Sequence, residues 1–228
     1  MRRSDRRGPL VALAVVAAVG LAGCGDRDHH DERGSHDSAL AAAVQVEAAG
    51  CQAAASIGAG SFIAEEHVVT VAHVVAGARH VHVVLADGRR VDATVVAIDR
   101  RKDLAVLHVE EDVAPLRRGS MRQGTAGTFT VYRDDRPVSL PFEATAAVTI
   151  DAPDIDGTGS SLRSGYRLSA DVEQGDSGSV LVARGRAAGV VFARSTATGN
   201  TAWAIDISEV DALLAAAGDD AVDLGACV

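Results

Sequence analysis

The sequence predicts an all-β protein, a barrel or sandwich of short strands closed by a terminal helix. Three observations carry this. Val-rich runs follow one another between Gly60 and Ser195, each broken by turn residues: "GSFIAEEHVVTVAHVV", "HVHVVLADGRRVDATVVAID", "DLAVLHVE" and "SVLVARGRAAGVVFARS". Branched Val side chains suit a pleated, half-buried surface. No strand–helix rhythm of the kind a doubly wound parallel sheet requires is present. Aromatic residues make up only 3% of the 228-residue chain, so the core must be built from Val, Ala, Leu and Ile.

Taken in order, residues 1–23 read as an export leader. Arg2, Arg3, Arg6 and Arg7 precede the apolar stretch Leu10 to Gly23, which runs straight into Cys24. That stretch is shorter than the roughly 20 residues a transmembrane helix needs. The polar stretch "GDRDHHDERGSHD", Gly25 to Asp37, has no apolar periodicity. With Cys24 it is expected to be a disordered tether, residues 24–37. His29, His30 and His36 could bind a metal ion weakly, but they lack a convincing ligand spacing, and a solvated spacer is the simpler reading.

The folded domain is expected over residues 38–228. "SALAAAVQVEAAG", Ser38 to Gly50, reads as a short helix capped by Ser38 and ended by Gly50. Asp87-Gly88 between two Val-rich runs is a hairpin signal, and Arg184-Gly185-Arg186 is a second turn. Between them, Leu116 to Gly165 is turn-rich with weaker strands. "SEVDALLAAAG" is the closing helix, with Ser208 and Asp211 at capping-box spacing and Gly218 at its end.

The formal net charge of −9 argues against nonspecific nucleic-acid binding, which needs clustered Lys and Arg. Of three cysteines, Cys51 opens the folded body and Cys227 nearly ends the chain. In an exported protein such a bracketing pair reads as a disulfide staple, and two unpaired thiols is the alternative.

The stretch "EQGDSGSV", Glu173 to Val180, is first of all a turn signal. For Ser177 to be a nucleophile it needs a base within hydrogen-bond reach and a third group to orient that base. Of eight histidines, three lie in the tether, and His67, His80, His82 and His108 lie in or beside strands. His73 in "VVTVAHVVAG" follows an apolar run at a small-residue turn, a setting that lifts an imidazole into a cleft. Asp103 opens "DLAVL" after the charged "DRRK", where an acid can be buried against a base. Each residue alone is equally compatible with an ordinary core, surface or loop role.

Taken together, "TVAHVV", "DLAVL" and "GDSGS", in that order, resemble the three signature segments of the trypsin-like serine peptidases. The resemblance is to the compact bacterial, HtrA-type branch and covers roughly Cys51 to Gly218. "AAGVVFARS" is similar to that family's cleft-lining strand and "TAWAIDISEVDALL" to its closing strand and helix. "LAGC", Leu21 to Cys24, resembles the bacterial lipobox, which implies lipidation of Cys24 and anchoring on the extracytoplasmic face of the membrane; a plain secretion signal with an incidental Cys is the alternative.

The resemblance implies a chymotrypsin-like fold of two six-stranded β-barrels and a serine endopeptidase acting on protein or peptide substrates. It implies Ser177 as nucleophile, His73 as general base and Asp103 as its orienting acid, with the backbone N–H groups of Gly175 and Ser177 as oxyanion hole. Asp176 is similar to the acid that orders this loop in relatives. Asp171, Gln174, Phe192, Ala193 and Arg194 correspond to substrate-binding positions. No cofactor or metal is implied. The chain departs from the family where Ser179-Val180 replaces the usual Gly-Pro and where Val71 precedes Ala72, departures that bear on specificity more than on activity. With ten residues after Gly218, no PDZ-like domain is expected to follow. The principal rival is a catalytically silent protease fold that holds peptide without cutting it.

Overall fold

The computed structural model describes residues 26–50, 55–218 and 220–225. The leader and the three cysteines, Cys24, Cys51 and Cys227, lie outside the described residues. Twelve strands form two closed antiparallel barrels of six, ordered β1-β2-β3-β6-β5-β4 and β10-β11-β12-β9-β8-β7. The first barrel holds β1 (Ala43–Ala49), β2 (Ser56–Ala64), β3 (His67–Thr70), β4 (His80–Val84), β5 (Arg90–Asp99) and β6 (Leu104–His108). The second holds β7 (Ala126–Arg133), β8 (Arg136–Pro153), β9 (Ser160–Ala170), β10 (Val180–Ala183), β11 (Arg186–Arg194) and β12 (Thr201–Asp206). The expected all-β double barrel is therefore the observed fold, and closure leaves neither sheet an open edge.

Inward-facing residues fill each barrel. Val44, Val46, Phe62, Val68, Val69, Leu104 and Leu107 are fully enclosed in the first, and Phe129, Val131, Leu168 and Leu181 in the second. Each such side chain contributes about 1.5–3 kcal/mol of burial. Val190 and Ile205 of the second barrel pack into the core of the first, so the barrels share an apolar seam. Both expected hairpins form. Gly88 takes φ +85° between β4 and β5, and Arg184-Gly185, both at positive φ, turn β10 into β11.

At the N-terminal end three expectations are corrected. The segment read as a disordered tether is helical: α1 runs Asp26–Ala42. Its Ala-rich end is docked, with Ala39 and Ala42 in the core. Ser38 sits inside α1 and returns its hydroxyl to the Gly34 carbonyl at 2.7 Å instead of capping. The expected Ser38–Gly50 helix ends at Ala42 and becomes β1. Alanine's helix propensity loses there to barrel closure, because β1 pairs with β2 on one side and β4 on the other. Val44, Val46 and Ala48 already alternated with Gln45 and Glu47.

The turn-rich middle contains the longest strand among the described residues, β8, paired with β7 and β9. The last helix, α3, spans Glu209–Ala216, but Ser208 bonds Asp206 at 2.7 Å, so the capping box is not made.

Candidate active site

His73 rises from α2, a single turn of Ala72–Val75 between β3 and β4. Val71, Ala72, Val74 and Val75 are buried, which pins the turn and leaves the half-buried His73 as the side chain that faces outward. Asp103 precedes β6 and is only 4% exposed. Its backbone sits at φ +58°, a left-handed conformation that Asp tolerates better than most residues.

The two residues meet directly. The His73 backbone N–H donates to Asp103 Oδ1 at 2.9 Å, and ring Nδ1 lies 2.8 Å from Oδ2. One carboxylate thus grips both the turn and the ring. With the proton on Nδ1, the lone pair on Nε2 is free to act as a base. His82 also has an acid at 2.7 Å, Asp92, but that carboxylate is 94% exposed. His67 and His108 stack edge to face and bond Glu65 O and Glu66.

Ser177 lies in the turn before β10, half-buried. Its carbonyl accepts the Ala59 N–H at 2.7 Å, and the next N–H, of Gly178, donates to Val191 O at 2.7 Å. Gly178 has φ +94°, and any side chain there would overlap the Ala59 carbonyl and crowd the Thr70 hydroxyl. A side chain at Gly58 would strike Val74 and the Ser177 carbonyl. The serine turn and the histidine turn are therefore seated on the same stretch of β2. The Ser177 hydroxyl makes no hydrogen bond to His73 among the described residues, a looseness common in substrate-free sites. The N–H groups of Gly175 and Ser177 have no protein acceptor among the described residues. Gly175 takes φ +98° and has open space around it. Two free donors two residues apart suit a developing oxyanion.

Asp176 is wholly buried between those donors. Arg133, at the end of β7, holds it in a fork: Nη1 to Oδ1 at 2.6 Å and Nη2 to Oδ2 at 2.9 Å. Oδ2 also accepts the Glu173 N–H at 2.8 Å. Bonding to Asp176 raises the Arg133 pKa, against the opposing effect of burial, so the guanidinium stays charged. Asp176 was legible in the sequence and Arg133 was not. "VYRDDR" carries no local signal of a partner 43 residues away.

Arg133→Met should therefore leave a carboxylate buried without its counter-charge. Such a loss costs about 3–5 kcal/mol, with the lower end expected here because the guanidinium is 34% exposed. The loosened Gly175–Ser177 turn should lower turnover by about 10²–10³, the scale of a lost oxyanion donor. Peptide-cleavage kinetics with a thermal melt check both; wild-type kcat in a folded variant would contradict this role.

The remaining candidates lie on β11 and in the segment between β9 and β10. Phe192 is the extra residue of a bulge where the β11–β12 register shifts, Ala193 pairs with Trp203, and Arg194 is exposed beside Ala202. Asp171 and Gln174 are both exposed, and the field of Asp171 reaches Arg133. Among the described residues no cluster of three or more His, Cys, Asp or Glu could hold a metal ion.

A trypsin-like peptidase domain model matches residues 58–190, more than half of the chain. The chain belongs to the trypsin-like peptidase family. This trypsin-like peptidase is 34% identical over 178 residues to serine protease Rv3671c of Mycobacterium tuberculosis, an alignment covering 75% of this chain and 45% of that one. The chain thus spans about half the length of the curated relatives it matches. A shorter alignment, 44% identical over 95 residues, covers 41% of the chain and 19% of the "Probable periplasmic serine endoprotease DegP-like" of Halomonas elongata. The crystal structure of the Rv3671c protease in its active form superposes with a TM-score of 0.78 at 29% identity, covering 100% of this chain and 99% of that one. The inactive form of that protease gives 0.69, covering 83% and 95%.

Proposed function

We propose that this trypsin-like peptidase is an exported serine endopeptidase, with Ser177 as nucleophile, His73 as general base and Asp103 as the acid that orients it. Ser177 Oγ attacks the scissile carbonyl carbon as His73 Nε2 takes its proton. The carbonyl oxygen becomes an oxyanion facing the N–H groups of Gly175 and Ser177. His73 then returns the proton to the leaving amine, the C–N bond breaks, and an acyl-serine remains. Water, deprotonated by the same imidazole, attacks the ester and releases the acid.

The observation that carries this reading is the double grip of Asp103 on the backbone and ring of His73. It spends a buried carboxylate on holding one imidazole in one tautomer, which a merely structural histidine does not need. The greater likeness to the active than to the inactive form of the Rv3671c protease is in keeping with it. The test is a fluorophosphonate probe on the purified chain. Covalent labelling of Ser177, mapped by peptide mass, is the expected result. A folded chain that stays unlabelled but retains peptide would instead be a silent peptide-binding module.

The domain would extend over residues 38–228 and reach the membrane through residues 24–37 and a lipid on Cys24. The support is the order of basic start, apolar run and "LAGC", together with the periplasmic description of the Halomonas relative. No helix among the described residues is long and apolar enough to cross a membrane. Cys24→Ala should move the protein from the membrane to the soluble fraction or stall it at precursor mass; unchanged fractionation and mass would remove the anchor.

A Cys51–Cys227 disulfide would staple the domain's ends. Its support is that Gly50, beside Cys51, and Gly225, two residues before Cys227, line one cavity of about 600 Å³. In the chain-entropy model a loop this long is stabilised by about 5 kcal/mol, less any strain.

A further inference from the structure

Arg163, on β9, is 1% exposed and has no carboxylate within ion-pair distance among the described residues. A buried cation without a counter-charge is costly, and an apolar side chain of similar volume would fill the space at less expense. What the guanidinium does there is specific. Nε donates to the Arg101 carbonyl at 3.1 Å, and Nη2 donates to the Pro153 carbonyl at 3.0 Å. Its planar carbon lies 5.3 Å from the centre of the Phe192 ring, within range of a cation–π contact.

These three partners belong to different parts of the site. Arg101 lies in the turn that delivers Asp103. That turn is wound tightly, with Asp99 Oδ1 accepting the N–H groups of Arg101 at 3.0 Å and Lys102 at 2.9 Å before the chain enters φ +58° at Asp103. Phe192 is the bulged residue of the cleft strand, and Pro153 ends β8. The same turn is held again by the second barrel, through Ile155 N–H to the Arg100 carbonyl at 3.2 Å. Asp103 itself comes from the first barrel. Its turn is thus bolted to the second barrel, which also carries Ser177.

We propose that Arg163 is a positioning residue: its guanidinium fork ties the Asp103 turn to the cleft strand and so fixes the approach of His73 to Ser177. This rests on the serine-peptidase reading above. Arg163 reaches neither substrate nor the reacting atoms; it acts through Asp103. Lysine could not replace it, because one ammonium cannot span two carbonyls and stack flat on a ring.

The test compares Arg163→Met, Arg163→Lys and wild type, each alone and combined with Asp103→Asn, in ester and peptide hydrolysis. Arg163→Met should lower kcat by about 10²-fold, the scale of a small misplacement of reacting groups. Arg163→Lys should fall between it and wild type. On the Asp103→Asn background the same substitutions should cost little further, because the group they position is already disabled. The proton NMR resonance of His73 Nδ1–H should shift or broaden in Arg163→Met.

Multiplicative losses on the Asp103→Asn background, or a kcat within about twofold of wild type, would overturn the proposal. If Arg163→Met does not fold, Arg163→Lys carries the same comparison. Failure of the peptidase reading looks different, as an unlabelled Ser177 in wild type. The His73 resonance needs no substrate, so it still decides whether Arg163 sets the His73–Asp103 contact.

Discussion

Ser177→Ala should lower kcat for peptide cleavage by roughly 10⁶-fold, the scale seen when a triad nucleophile is removed, and leave the melting temperature nearly unchanged. The hydroxyl makes no hydrogen bond to His73 among the described residues, so its removal breaks no such bond. What seats the turn is backbone: the Ser177 carbonyl on Ala59 N–H and the Gly178 N–H on Val191 O, both at 2.7 Å. Alanine keeps both. The free donors at Gly175 and position 177 also survive, so the variant should still bind peptide and retain a small residual rate above water. Steady-state kinetics beside a thermal melt make the measurement. A folded variant with wild-type turnover would remove Ser177 from the chemistry.

Asp103→Asn should cut kcat by about 10⁴-fold without unfolding the chain. Asparagine tolerates the left-handed backbone at φ +58° nearly as well as aspartate. It has, however, one acceptor where two are used. With its oxygen on the His73 backbone N–H, its amide N–H₂ faces ring Nδ1. The ring must then accept there and carry its proton on Nε2, the atom that has to receive the serine proton. With the amide reversed, two donors face each other at the His73 N–H. The clash disfavours the second arrangement, so the first prevails and disables the base while the buried turn stays packed. The check is kcat for wild type and variant at equal folded fraction, and a loss under tenfold would mean that Asp103 does not set the tautomer.

The strands were legible wherever one face alternated or a Val run was bounded by a turn. Asp87-Gly88 and Arg184-Gly185 could be read because a two-residue turn between apolar runs is a local signal. At Ser38–Gly50 the alanines spoke for a helix and the Val44/Val46 alternation for a strand. The choice depended on β2 and β4, which no local window contains. Ser208 misled for a related reason: capping spacing was present, but Asp206 took the hydroxyl.

By itself the sequence determined the all-β class, the family resemblance through three ordered segments, and His73 and Asp103 as residues in settings suited to meeting. Those are properties of short windows, where apolar period and turn chemistry are written residue by residue. Only the tertiary structure decided that one carboxylate would hold both the backbone and the ring of a histidine 30 residues away. It alone revealed Arg133 beneath the Gly175–Ser177 turn and Arg163 behind the Asp103 turn, the latter across 62 residues of chain. An arginine in a sequence looks like a solvated charge. Whether it is buried, and what it grips, is settled when two barrels close and pack against each other, because burial and directed hydrogen bonds depend on neighbours that chain order does not name.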